Sequence, residues 1–276
     1  MKNLYQLLRI NHYIKNLIIF APLLFTSGYE NTENKKNILT IFFIFCIIAS
    51  TVYIFNDLID LKFDKLHPKK NKKPIANNKI KEKTAYQILI ILCLISIAIV
   101  IKYQQFLIIV LSYFILNILY STIFKKIFLV DIFILSSNYI IRVLAGCIAL
   151  SVDLSNWMAI TVFCGALTLS SIKRKKELLI YGSQARPVLE KYTVEILKNI
   201  SLISAILAII FYSLYVIFLN DNFLLTIPLV IYSVIRYLIR SENKNFLDSP
   251  VEEILRDKQN FILAIIWVIM IITLND

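Results

Sequence analysis

Residues 56–74 read NDLIDLKFDKLHPKKNKKP and follow directly on the apolar run ILTIFFIFCIIASTVYIF of residues 38–55. Asn56, Asp57, Asp60 and Asp64 form the pattern NDxxDxxxD. On a continuous helix, at about 100° per residue, the three aspartates fall at roughly 0°, −60° and −20° and Asn56 at about −100°. All four then face one way. A face of carboxylates suits a hard cation such as Mg²⁺, which keeps several waters and takes one or two carboxylates plus the phosphate oxygens of a substrate. Asp57 and Asp64 are expected to lie about 10 Å apart along the helix axis, too far for both to grip one ion directly. A metal–diphosphate cluster fits that spacing better than a closed cage. The competing reading is a solvated helix end in which the aspartates neutralise nearby lysines. The position of the pattern at the edge of a long apolar segment favours function, because ionisable groups there are functional candidates by default.

The rest of the chain has the same character. Hydrophobic residues make up 58% of 276, mean hydropathy is +0.72, and there are only four glycines. That is too much apolar surface for a soluble domain of this length. The fold class expected is all-α: a polytopic membrane protein with nine transmembrane helices, near 14–29, 37–56, 85–101, 104–120, 127–150, 154–172, 196–219, 222–240 and 258–274. Most approach the 20 residues that a bilayer requires. The first is short and contains Pro22, but no small-residue cleavage site follows it and eight more spans do, so it is not read as a signal peptide.

Charge distribution sets the orientation. With the N-terminus cytoplasmic, 26 of the 30 Lys and Arg fall on the cytoplasmic side, three (Lys35, Lys36, Lys102) fall outside, and Arg142 lies within a span. The net charge of +12 is thus mostly topogenic, drawing the cytoplasmic face to anionic lipid or phosphorylated substrates and giving no reason to expect nucleic acid. Cys46, Cys93, Cys147 and Cys164 sit in apolar runs without CxxC spacing, as buried small hydrophobes do.

Other polar residues gather at the cytoplasmic ends of the spans. Lys15 lies where span 1 enters the membrane. Lys72 and Lys73 stand between Pro68 and Pro74, which stiffen that stretch and make them the best placed of nine loop lysines to screen a diphosphate. Tyr120 and Lys125 close span 4. In span 5, Asp131 and Arg142 are eleven residues apart, three turns, and so are expected on one side of the helix, with Asn138 sharing the face of Arg142. An arginine at that depth costs roughly 2.5–3.5 kcal/mol unless paired or wetted, so Arg142 should line an internal polar cavity. Span 6 runs into KRKKEL, bringing Lys173, Arg174 and Glu177 to the same rim. A short surface helix is expected after Pro250.

The stretches INHYIKNLIIFAPLLF, NDLIDLKFDKLHPKKNKKPIA, YSTIFKKIFLVDIFILSSNYIIRVLAG, KRKKELLIYGSQARPVLEKYT and DSPVEEILRDKQ, spread over residues 10–259, resemble the UbiA superfamily of intramembrane prenyltransferases. Within it the likeness is greater to polyprenyl-phosphate phosphoribosyltransferases of the decaprenyl-phosphate type. The resemblance implies a single catalytic domain, 1–276, in a UbiA-like bundle capped by loops at about 57–84 and 173–195. It implies a multi-pass protein of the cell (inner or plasma) membrane with its active site facing the cytoplasm, and leaves homo-oligomerisation open. Phosphoribosyl pyrophosphate would be the donor and a polyprenyl phosphate the acceptor. Asp57, Asp60 and Asp64 would hold Mg²⁺ on the donor, with Asn56 orienting the cluster. Lys15, Lys72, Lys73 and Lys125 would add positive charge, while Arg142, Lys173 and Arg174 would grip the ribose 5-phosphate or the lipid phosphate. Tyr120, Asp131, Asn138 and Glu177 would complete the substrate contacts. One departure is notable: members with aromatic acceptors carry a second aspartate-rich motif after span 6, where this chain has KRKKEL. A basic rim suits a substrate pair with more phosphate. The alternative is ordinary prenyl transfer from an allylic diphosphate.

Overall fold

A computed structural model describes residues 2–26, 31–66, 70–183, 186–243, 253–254 and 256–275. The expected helix after Pro250 falls largely outside them. The described chain is all-helical, and the helices are α1 (Lys2–Leu8), α2 (Ala21–Leu24), α3 (Thr32–Ile59), α4 (Leu61–Leu66), α5 (Glu82–Lys102), α6 (Leu107–Thr122), α7 (Val130–Leu150), α8 (Asn156–Tyr181), α9 (Val194–Leu219), α10 (Ile227–Ser241) and α11 (Lys258–Asn275). Between α1 and α2 the chain forms a 3-10 helix, Ile10–Phe20.

Among the described residues seven helical segments are long and apolar enough to cross a membrane: α3, α5, α6 with its preceding turn, α7, α9, α10 with its preceding turn, and α11. The two remaining expected spans differ for separate reasons. Helix α8 has 26 residues, but Asn156, Ser170, Ser171 and the KRKKEL run dilute its hydropathy. The first expected span is the 3-10 segment followed by the four-residue α2, with Pro22 in the first turn of α2. A 3-10 helix rises about 2.0 Å per residue, so these two pieces together extend roughly 28 Å, near the thickness of a bilayer core.

Caps set the ends of the long helices. Asn31 accepts a hydrogen bond from the Glu33 amide at the start of α3, and Thr193 accepts one from Ile196 at the start of α9. Helix α7 is the centre of the bundle, packed against the 3-10 segment, α2, α3, α6 and α8. Its Gly146 is what admits the 3-10 segment, since a Cβ there would lie 2.0 Å from the carbonyl oxygen of Ile19. The core formed by Ile19, Ile41, Phe45, Phe106, Tyr113 and Ala145 locks these pieces together. Helix α5, by contrast, exposes Ile90, Ile91, Leu94 and Ile97, a face suited to lipid. All four cysteines are free; Cys46, Cys147 and Cys164 are buried and Cys93 partly so.

The decisive local departure is at Asp60. Helix α3 ends at Ile59, Asp60 leaves the helical conformation (φ −85°, ψ 3°), and α4 begins anew at Leu61. The continuous helix assumed for NDxxDxxxD is therefore broken in its middle.

Candidate active site

The break redistributes the acidic residues. Asp57, on the last turn of α3, and Asp64, on α4, are both buried. The Nζ of Lys73 lies 2.8 Å from Asp57 Oδ1 and 2.5 Å from Asp64 Oδ2. Two carboxylates expected to be too far apart thus share one cationic centre across the one-residue interruption at Asp60. Asp60 has a separate partner, accepting a hydrogen bond from Lys125 at 2.7 Å. Asp57 also accepts from Arg9 at 2.6 Å. Arg9 stands in the left-handed turn between α1 and the 3-10 helix (φ 51°) and lies over the ring of Tyr53, 4.6 Å from its centroid.

Lys73 and Lys72 separate sharply. The turn Lys70–Lys72 is tied to Lys73 by the bond from its amide to the Lys70 carbonyl. This aims Lys73 at the aspartates and leaves Lys72 exposed to solvent.

Beside the aspartates lies a polar cavity of about 130 Å³, lined by Lys15, Asn56, Asn138, Arg142 and Lys173, together with Tyr53, Tyr113, Asn117, Tyr120 and Tyr139. Arg142 lines a polar cavity as expected. Its Nε donates to Asn16, Nη1 to the Asn138 carbonyl and Nη2 to the Tyr113 hydroxyl, each at 2.8 Å. Its guanidinium sits between the rings of Tyr113 and Tyr139. Asn138 in turn accepts from Asn117. Arg142 is therefore a fixed charge held by three side chains, Asn16, Tyr113 and Tyr139, and by the Asn138 carbonyl.

Arg174 has a different place from the one expected. Fully buried, it donates to Asp131 at 2.7 Å, Glu177 at 2.8 Å and Tyr120 at 2.9 Å, and Asp131 also accepts from Tyr192. This network joins the start of α7, the end of α8 and the segment 187–192. Asp131 and Arg142 accordingly belong to separate clusters, since eleven residues of helix place them about 16 Å apart along the axis. Glu177 also pairs with Arg186 at 3.0 Å. Burial by itself would raise the Glu177 carboxyl; Arg174, Arg186, Lys173 and Lys70 outweigh it and bring it down to about 2.

Arg9, Asn16, Asn117, Tyr139 and Arg186 escaped sequence reasoning. Asn117 is a polar residue within an apolar run, a signal that was there to be read; the others depend on contacts between segments far apart in the chain. Tyr139 and Leu169 also form part of a second, mostly apolar groove of about 410 Å³ between α8, α9, α10 and α11, lined further by Ile18, Leu263, Ala264 and Trp267.

Carboxylate oxygens already converging on one cation fit Mg²⁺, which needs only one or two protein carboxylates when phosphate supplies the rest. Among the described residues no group of three or more His, Cys, Asp and Glu gathers round one point, so a closed protein cage is not part of the arrangement.

The UbiA prenyltransferase family model matches residues 17–247. The decaprenyl-phosphate phosphoribosyltransferase of Mycolicibacterium smegmatis is 30% identical, over 96% of this chain and 90% of its own length. That of Corynebacterium glutamicum is 27% identical, over 96% and 84%. A UbiA homologue from Archaeoglobus fulgidus, solved bound to GPP and Mg²⁺, superposes with a TM-score of 0.75 at 15% identity, covering 99% of each chain.

Proposed function

The chain belongs to the UbiA prenyltransferase family, and on that premise we propose that this membrane transferase moves 5-phosphoribosyl from phosphoribosyl pyrophosphate to a polyprenyl phosphate. The observation that carries this reading is the joint placement of two converging carboxylates, a cavity lined by Lys15, Arg142 and Lys173, and an apolar groove on the far side of Tyr139 and Leu169. The named relatives with phosphoribosyltransferase activity match nearly the whole chain, which favours the same donor.

In this reading the chain crosses the membrane nine times with its N-terminus in the cytoplasm, and the loops around 57–84 and 173–195 cap the site. Asp57 and Asp64 hold Mg²⁺, with Arg9 fixing the orientation of Asp57 and Asp60 lying in the next ring out. The metal, when bound, neutralises charge on the departing pyrophosphate. Lys73 and Lys125 add positive charge on the same side. The lipid phosphate enters the cavity between Lys15, Lys173 and Arg142 while its tail follows the groove. Asn56, Tyr120 and Asn138 shape the cavity wall and limit water.

An oxygen of the acceptor phosphate attacks the anomeric carbon as the bond from that carbon to pyrophosphate breaks. The acceptor is already an anion, so no general base is required. Positioning and fixed positive charge supply most of the rate. Membranes containing the protein, given phosphoribosyl pyrophosphate labelled in the ribose and a polyprenyl phosphate, are expected to yield label extractable into organic solvent. No label, together with turnover of an allylic diphosphate and an aromatic acid, would overturn this choice in favour of prenyl transfer.

A further inference from the structure

His12 and Tyr53 have no part in the mechanism above, yet both are built into the wall of its site. The 3-10 segment runs antiparallel to the end of α3, and its side chains meet that helix in order: Arg9 with Asp57 at 2.6 Å, His12 Nδ1 with the Tyr53 hydroxyl at 3.1 Å, Tyr13 with Ser50 at 2.7 Å and Asn16 with Cys46 at 3.3 Å. Three residues make one turn of a 3-10 helix, so His12 and Lys15 lie one above the other. On α3, Tyr53 and Asp57 share a face at a spacing of four. Tyr53 therefore stands one turn from the Asp57 carboxylate and lines the cavity together with Lys15, Arg142 and Lys173. Its ring is fixed as well as its hydroxyl. The Arg9 guanidinium lies 4.6 Å from the ring centroid, and the His12 ring stands edge-on to it, with centroids 5.2 Å apart at 87°.

We propose that Tyr53 is a further catalytic residue, its hydroxyl donating a hydrogen bond to a non-attacking oxygen of the acceptor phosphate, and that His12 is the positioning residue that aims it. This rests on the phosphoribosyl reading above, in which the cavity takes the lipid phosphate. A tyrosine hydroxyl has one proton to give. With the neutral His12 ring donating from Nδ1 to the Tyr53 oxygen, that proton is left for the anion. The cations draw phosphate into the cavity by charge; a fixed hydroxyl adds direction, turning one phosphate oxygen toward the anomeric carbon while holding another. Neither group gains or loses a proton in the reaction.

The test measures kcat/KM for the polyprenyl phosphate in wild type, Tyr53→Phe, His12→Ala, His12→Asn and the double variant Tyr53→Phe with His12→Ala. Tyr53→Phe keeps the ring between Arg9 and His12, and it is expected to lose about tenfold or more, as a hydrogen bond to a charged group is lost. His12→Ala is expected to lose about as much, and His12→Asn, whose amide nitrogen reaches the place of Nδ1, to recover most of it. In the Tyr53→Phe background His12→Ala should cost no more than a further twofold, because its partner is already gone. An equal loss in both backgrounds would make His12 structural and overturn its part; Tyr53→Phe within twofold of wild type would overturn the whole. Equilibrium binding without donor separates this inference from the reaction. Binding of a polyprenyl phosphate at least fivefold weaker in Tyr53→Phe, with binding of the matching polyprenyl alcohol unchanged, supports the contact even if no ribosyl transfer is found, whereas unchanged binding of the phosphate refutes it even if transfer is confirmed.

Discussion

Replacing Asp57, Asp64 and Asp60 one at a time by asparagine separates the shared cationic centre from its neighbour. Asp57 accepts from two cations, Arg9 at 2.6 Å and Lys73 at 2.8 Å, whose side chains are 24% and 23% exposed. Bonds to charged groups contribute about 1.5–3 kcal/mol each when buried, and partial exposure reduces this. Asp57→Asn should then cost roughly 2–4 kcal/mol of stability. Asp60, itself 34% exposed, has only Lys125 as its partner among the described residues, and its loss should cost no more than about 1 kcal/mol. Thermal unfolding in detergent measures the difference. Manganese binding, followed by electron paramagnetic resonance without substrate, measures function: Asp57→Asn and Asp64→Asn should each weaken it at least tenfold, and Asp60→Asn by threefold or less. Equal weakening in all three, or loss only in Asp60→Asn, would refute the convergence of Asp57 and Asp64 on one ion.

Gly146→Ala should drive a methyl group into the Ile19 carbonyl and shift the 3-10 segment that carries Lys15 and Asn16; a loss of about 1–3 kcal/mol in thermal stability, with activity reduced further, would bear this out. Arg174→Met should destabilise by about 3–5 kcal/mol because it strands the buried Asp131, while Lys173→Ala should leave the unfolding temperature nearly unchanged and raise KM for the lipid acceptor. Glu177 has a folded pKa of about 2, below the ordinary 4.5, so its contribution is present in full above pH 4.5 and is lost as pH falls toward 2. That shift corresponds to about 3 kcal/mol, and Glu177→Gln should flatten the acid limb of the stability profile.

The long apolar helices were legible because bilayer crossing demands length and hydrophobicity together, and α3, α7 and α9 lie within a few residues of where the runs of Ile, Leu and Phe place them. Arg142 was legible for a related reason: a guanidinium within an apolar helix has to meet polar partners. The bend at Asp60 was not. LIDLKFD contains neither glycine nor proline, and the cations that pair with Asp64 and Asp60, Lys73 and Lys125, lie 9 and 65 residues away. The same distance effect hid Arg9, whose partner is 48 residues off. KRKKEL likewise gives no hint that, of its four cations, Arg174 is buried against Asp131 while Lys173 faces the cavity. The first span was misjudged as an ordinary helix because hydropathy counts residues, whereas a 3-10 segment reaches further with fewer of them.

Mass spectrometry of the lipid product made by purified protein, supplied with Mg²⁺, phosphoribosyl pyrophosphate and a polyprenyl phosphate, tests the proposed transfer most directly. The acceptor should gain the mass of one phosphoribosyl group, with one pyrophosphate released per product. An unmodified acceptor, alongside a prenylated product when an allylic diphosphate is supplied instead, would contradict it.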